Sequence, residues 1–283
     1  MNRRLFINRL TLAAAGGLCL SDPNAPALAA GKRRLSRIGM QLYTVRRELE
    51  KDFEGTLRKV AALGYREVEF AGYFGRGAAE VKTLLKRLKL DAPAAHVQLS
   101  ELRGDLRPSI DAAHVIGHKY LLLAWTAPEE RRTLEQYRRL ADLCNEAGAA
   151  LQREGLQFAY HNHDFEFAPL EGRVPYDLLL ERTDPRLVKL EMDLYWTVKG
   201  GASPIEYFER HPGRFHLLHV KDMDSTPRRL FADVGKGVID FKTIFARSRK
   251  AGVRHYFVEN DEPAGSPFDS LRVSIDYLRR LEF

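Results

Sequence analysis

The 283-residue chain has little cysteine: only Cys19 and Cys144. A small disulfide-stapled scaffold is therefore excluded. It also lacks an apolar run of the ~20 residues that span a bilayer core, which excludes a multi-span membrane protein. No glycine-rich phosphate loop follows an early strand. The cluster Gly72-Tyr73-Phe74-Gly75-Arg76-Gly77 has the wrong spacing for one, which argues against a dinucleotide-binding open sheet. Basic residues such as Arg131-Arg132, Arg138-Arg139 and Arg279-Arg280 do not interleave with aromatics along one face, so there is no nucleic-acid footprint. What remains, with 45% hydrophobic and 29% charged residues, is the composition of an ordinary globular protein.

The first thirty residues read as an address. Arg3, Arg4 and Arg9 precede an apolar run at 10–20, and Ala27-Leu28-Ala29 suits signal cleavage there or after Ala30. Arg3-Arg4-Leu5-Phe6-Ile7 resembles a bacterial twin-arginine signal. These features predict a cleaved signal over 1–30, handling by the twin-arginine export machinery, a periplasmic mature domain over 31–283 and no stable membrane association after cleavage. Leu18 stands where a lipoprotein signal wants Gly or Ala before Cys19, so lipidation is not expected. Cys144 then remains alone, mid-helix, as a buried structural thiol. The formal charge of +7 includes three leader arginines and Asp22, leaving a diffuse +5.

Beyond the leader, short apolar runs at 38–43, 67–70, 92–97, 120–124, 157–161, 188–193, 215–220 and 256–259 alternate with helix-period segments. Rich in Val, Leu, Phe and Tyr, the runs suit parallel strands buried on both faces. The intervening helices are expected to close near Gly, with matching junctions at Gly64 and Gly252. Eight such units over about 250 residues predict a single (β/α)8 TIM barrel.

Reactive groups in such barrels come from the C-terminal strand ends. The last four strands end in His161-Asn162-His163-Asp164-Phe165-Glu166, Glu191-Met192-Asp193, His219-Val220-Lys221-Asp222 and Glu259-Asn260-Asp261-Glu262. Taken singly, Asp193 could cap a turn, His219 could be a satisfied core histidine and Glu259 could open an acidic loop. Together, on adjacent strands at one end, they suit a catalytic divalent ion. One His among carboxylates points toward Mn²⁺; Zn²⁺, Co²⁺ and Mg²⁺ are the alternatives.

Five motifs, Q-L-Y-T-V-R at 41–46, Y-H-N-H-D-F-E-F at 160–167, E-M-D-L-Y-W at 191–196, H-V-K-D at 219–222 and V-E-N-D at 258–261, resemble the sugar phosphate isomerase/epimerase family of xylose isomerase-like TIM barrels. The resemblance covers the whole mature chain. It implies one divalent ion held by Glu, Asp, His and Glu from strands five to eight. By position Asp193, His219 and Glu259 match the last three. Where the epimerases carry the first Glu this chain has Tyr160 or His161, so Glu166 is the expected fourth ligand, with His163 or His161 as the alternative.

The implied activity is isomerisation or epimerisation of a sugar or keto sugar through an enediolate, the ion polarising the carbonyl. Glu259 and Glu166 form the expected ligand and base pair. His96, His161 and His163 are further acid/base candidates. Lys221 is expected to stabilise oxyanion charge or to pair with Asp222. Tyr43, Trp125, Tyr195 and Trp196 are expected either to floor the sugar site or to pack in the core. The alternatives are a lyase or dehydratase acting on a 3-keto sugar, glycoside or cyclitol, and a non-catalytic periplasmic sugar-binding barrel. Oligomeric state is not legible.

Overall fold

The computed structural model describes residues 32–283. The expected export signal and its cleavage site fall outside the described residues. Strands β1 (Gly39–Gln41), β2 (Glu67–Phe70), β3 (Asp91–Val97), β4 (Tyr120–Leu123), β5 (Gln157–His161), β6 (Val188–Asp193), β7 (Phe215–Val220) and β8 (His255–Val258) close a barrel. The order is β1-β8-β7-β6-β5-β4-β3-β2, every neighbouring pair is parallel, and helices fill the crossovers. This is a single (β/α)8 barrel.

The glycine junctions form as the spacing predicts. Helix Phe53–Leu63 ends at Gly64 with φ 100°, and helix Phe241–Ala251 ends at Gly252 with φ 91°. The left-handed backbone there costs a residue without Cβ little. Helix Ala78–Leu88 departs from the expectation, ending on Lys89 with φ 55°. Its left-handed cap lets the backbone N–H reach the Leu85 and Lys86 carbonyls without glycine. Cys144 is fully buried in helix Leu134–Arg153, and burial pushes its thiol well up.

Alternation along the strands sorts side chains between the helix-facing core and the lumen. The lumen is filled in layers. Tyr120 contacts His216 Nδ1 at 3.1 Å, and His255 Nδ1 meets Glu67 at 2.9 Å, towards the N-terminal ends. Above them Ala94, Leu122, Ala159, Leu217 and Phe257 form an apolar plug. A Cβ on Gly39 would come within 2.6 Å of the Phe257 ring, so the plug requires a bare backbone in β1. The top layer is polar and carries the site.

The β7–β8 connection is clipped onto the barrel by one carboxylate. Asp222 accepts from the backbone N–H groups of Met223, Gly235, Gly237 and Ile239 at 2.8–3.1 Å. A short antiparallel ribbon, Asp222–Met223 against Phe231–Ala232, continues from it.

Candidate metal centre

Three of the sequence-expected residues meet as their strand ends predict. Asp193 ends β6, His219 lies on β7, and Glu259 follows β8 by one residue. His219 is central. Its Nδ1 lies 2.8 Å from Glu259 Oε2 and 3.8 Å from Asp193 Oδ2. His161, at the end of β5, brings Nε2 to 4.0 Å from Asp193 Oδ2. Ligand atoms of His161, Asp193 and His219 all lie within 4.8 Å of one another.

Asp193 does two things at once. Its Oδ1 caps helix Leu194–Lys199 by accepting from Trp196 N at 2.9 Å. Its Oδ2 is buried and makes no hydrogen bond, only the ion pair with Lys221 at 3.1 Å, and His219 Nδ1 makes none either, although Glu259 lies 2.8 Å away. Unsatisfied acceptors in so dry a place are costly, and a cation would satisfy both. The donor set, imidazole nitrogens with carboxylate oxygens, suits a Mn²⁺, Zn²⁺ or Co²⁺ ion.

Lys221 joins the group from β7's end. Its Nζ stands 2.7 Å from Glu259, 2.9 Å from Asp261 and 3.1 Å from Asp193. It therefore does not pair with Asp222, whose carboxylate is taken by backbone donors. Burial opposes the charge on Lys221, but the carboxylates of Asp193, Asp261 and Glu259 hold its pKa well above the usual lysine range. Burial likewise opposes charge on Glu259, and Lys221 and His219 hold it down at about 2. Burial raises Asp193, with Lys221 and His219 acting against it. Burial raises Asp261 to about 6.

Two carboxylates absent from the sequence-level set lie directly beneath. Glu69 on β2 and Glu191 on β6 are fully buried. His219 Nε2 is 2.8 Å from Glu69 Oε1 and 3.0 Å from Glu191 Oε2. Glu191 also meets His161 Nδ1 at 3.2 Å. Such partners fix the tautomer and angle of a ligating imidazole. His96 on β3 completes the layer, its Nε2 2.8 Å from Glu69 and 3.0 Å from Gln41. Burial opposes charge on Glu69, yet His96 and His219 hold it well below the carboxylate range. Burial and the neighbouring Glu69 push Glu191 well up. The available signal was period two: Glu67-Val68-Glu69 and Lys189-Leu190-Glu191-Met192-Asp193 place charge on the lumen face of strands otherwise apolar.

Glu166, the expected strand-five ligand and base, is placed elsewhere. Tyr160 O–H donates to its Oε1 at 2.7 Å and His163 N–H to its Oε2 at 2.8 Å. Tyr160 is part of the helix-facing core, so Glu166 sits outside the lumen and both its oxygens are engaged. His161, the alternative, is the strand-five residue that reaches the centre. Burial pushes Glu166 up to about 7, well above the ordinary carboxylate range. A carboxyl whose pKa rises on folding stabilises the fold fully below its unfolded value and loses that contribution as pH rises through the folded one. Relative to wild type, Glu166→Gln should therefore gain on the order of 2–3 kcal/mol between pH 4.5 and 7.5. Urea denaturation across that range measures it, and parallel profiles for the two proteins would refute it.

His163 stays near the centre. Its ring lies 5.0 Å from His161 and stacks on Phe165 at 5.2 Å, with Arg131 3.4 Å above the Phe165 ring. Burial holds its pKa down at about 3, and its Nδ1 is buried without a partner. Of the expected floor, Trp125 and Tyr43 are exposed (53% and 43%), the latter under the Arg46 guanidinium at 4.0 Å. Trp196 is half-buried, 5.5 Å from His163. Tyr195 is core instead: it is buried, and its hydroxyl donates to the Arg229 carbonyl at 2.7 Å.

These features define a class: a parallel (β/α)8 barrel with a dry histidine–carboxylate centre, fit for a divalent ion, at the C-terminal strand ends. Residues 57–281 match the xylose isomerase-like TIM barrel family model, and the chain belongs to that family of enzymes. It is 25% identical over 266 residues to an inosose dehydratase of Geobacillus kaustophilus (strain HTA426), covering 80% of this chain and 86% of that protein. It superposes with a TM-score of 0.76 on a sugar phosphate isomerase/epimerase from Parabacteroides distasonis ATCC 8503, at 29% identity over 87% of this chain and 98% of the other. The IOLI protein, solved with a zinc atom bound, shares the fold at a TM-score of 0.66 and 14% identity, covering 85% of this chain and 95% of that one.

Proposed function

We propose that the protein is a metal-dependent dehydratase of a polyhydroxylated ketone, a keto-cyclitol or keto sugar. The observation that carries this reading is the convergence of His161, Asp193, His219 and Glu259 from four consecutive strands around the Lys221 ammonium. Those four would hold the ion, for which zinc in a protein of the same fold is a precedent. When bound, a divalent ion supplies Lewis-acid polarisation of the substrate carbonyl. With two imidazoles in the set rather than the one expected, Zn²⁺ suits it as well as Mn²⁺.

The chain's own groups do the rest. His163, held neutral by burial, accepts the proton from the carbon beside the carbonyl. The C–H electron pair becomes a carbon–carbon double bond and the oxygen takes up negative charge. Lys221 stabilises that oxyanion from within a low-dielectric site. The electron pair then expels the β-hydroxyl, whose C–O bond breaks. The imidazolium of His163 gives up the proton with which it leaves as water, and an unsaturated ketone remains. Trp125 and Tyr43 shelter the mouth and offer apolar faces to ring C–H groups.

Support for dehydration comes from relatives named inosose dehydratase that match along most of their length. A second reading, isomerisation or epimerisation through the same proton removal, is favoured by the 29% identical isomerase/epimerase. The metal-loaded enzyme should be incubated in D₂O with an inosose and with 3-keto glucosides. Loss of water with appearance of an unsaturated ketone is the expected result. Deuterium uptake without water loss would select the second reading. Neither event with any substrate would overturn both, leaving a binding barrel.

We further infer that the mature domain works in the periplasm after twin-arginine export. What supports this is the paired Arg3-Arg4 ahead of a weakly hydrophobic run and the Ala27-Leu28-Ala29 cleavage pattern. A folded fluorescent reporter behind residues 1–35 should reach the periplasm, and the Arg3→Lys/Arg4→Lys leader should retain it. A reporter kept inside the cell by the native leader, or exported by the altered one, would contradict the route.

A further inference from the structure

We propose that a second divalent cation binds one layer below the first, held by Glu69, His96 and Glu191. The inference rests on the reading that the first ion sits between His161, Asp193, His219 and Glu259.

The geometry is suitable. Ligand atoms of Glu69, His96, Glu191 and His219 all lie within 4.8 Å of one another. The shortest separation involving His96 is 2.8 Å to Glu69, and Glu191 Oε2 is 4.0 Å from His96 Nε2. Ligands about 2.1 Å from a tetrahedral ion stand roughly 3.4 Å apart, inside this spread. The groups come from β2, β3 and β6, so rigid backbone sets their positions. Gln41 from β1 braces the set, its Nε2 2.5 Å from Glu69 Oε1.

The unsatisfied atoms point the same way. Glu69 Oε2 and Glu191 Oε1 are buried without a hydrogen-bond partner, in residues with no exposed surface. These atoms are separate from the Asp193 Oδ2 and His219 Nδ1 assigned to the first ion.

Charge accounting separates the two layers. In the outer layer, Asp193, Glu259 and Asp261 face Lys221, and one divalent ion brings that group to neutrality. In the inner layer Glu69 and Glu191 meet only histidines within ion-pair distance, among the described residues. The first ion and Lys221 are already spent on the outer carboxylates. A second divalent ion balances the inner pair with His96, His161 and His219 all neutral. His219 stands between the layers, Nδ1 outward and Nε2 inward. A neutral imidazole serves one ion through one nitrogen, and the inner set is complete without it. His96, with 12% of its side chain exposed, gives the inner layer its approach from solvent.

The test is metal stoichiometry. The mature chain, stripped with chelator and reloaded with Zn²⁺, should retain two ions per chain after dialysis. Glu69→Gln and Asp193→Asn should each retain one, with unchanged circular dichroism. His96→Gln repeats the inner test should Glu69→Gln fold poorly. One ion in wild type, lost in Asp193→Asn and kept in Glu69→Gln, would overturn the second site while leaving the proposed function intact. That result means the inner carboxylates share a proton instead. No ion in wild type would overturn both.

Discussion

Lys221→Met should lower the melting temperature of the metal-free protein by about 10 °C. The side chain is almost wholly buried, and its ammonium is the cation shared by Asp193, Glu259 and Asp261. Methionine keeps the length and most of the volume, so packing changes little. What is lost is the charge. Removing one partner of a buried ionic group costs about 3–5 kcal/mol, because the remaining charges stay buried and uncompensated. At about 2–4 °C per kcal/mol for a domain of this size, that gives the stated shift. A divalent ion replaces part of the missing positive charge, so Zn²⁺ or Mn²⁺ should recover more than half of it. Scanning fluorimetry of both variants with chelator and with metal is the measurement. An equal loss in both states would mean that Lys221 and the ion do not share those carboxylates.

Asp193→Asn should abolish metal retention at the outer position and reduce turnover by on the order of 10³-fold or more, with little loss of stability. The asymmetry follows from the two oxygens. Oδ1 accepts from Trp196 N as a helix cap, and asparagine caps about as well as aspartate. Oδ2 faces His219 and Lys221, where an amide offers no charge to a cation. A structural cap alone predicts normal metal content and activity in this variant. Metal analysis and steady-state rates on one preparation therefore separate the two roles, and wild-type values for both would remove Asp193 from the centre.

Much of this was legible in the sequence because the barrel imposes simple rules. Buried parallel strands read as short apolar runs, and the C-terminal end of each exposes its last residues to the site. His219, Asp193 and Glu259 were visible that way. Glu69 was not, because it lies within a strand, where attention to strand ends misses it; Glu191 was read as part of the end of strand six but given no role. Their lumen-facing register shows only once alternation is followed inward from Asp193. Glu166 misled for the opposite reason. Its position in the loop after β5 is near the site in sequence, but the turn hands its two oxygens to Tyr160 and the His163 amide. Tyr195 likewise sits beside the metal-side residues in sequence, while the turn into helix Leu194–Lys199 sends its ring against Phe231, 4.3 Å away. Strand periodicity carries no information about such turns.

The apolar plug of Ala94, Leu122, Ala159, Leu217 and Phe257 gives the chemistry a single doorway. No water file or proton wire can run through a packed hydrocarbon floor, so reactants of the proposed site arrive, and products depart, at the C-terminal strand ends. A departing product thus occupies the route of the next arrival. Product inhibition should be competitive with substrate, and the pace of emptying the chamber sets an upper bound on turnover that no improvement in the bond-breaking steps can lift.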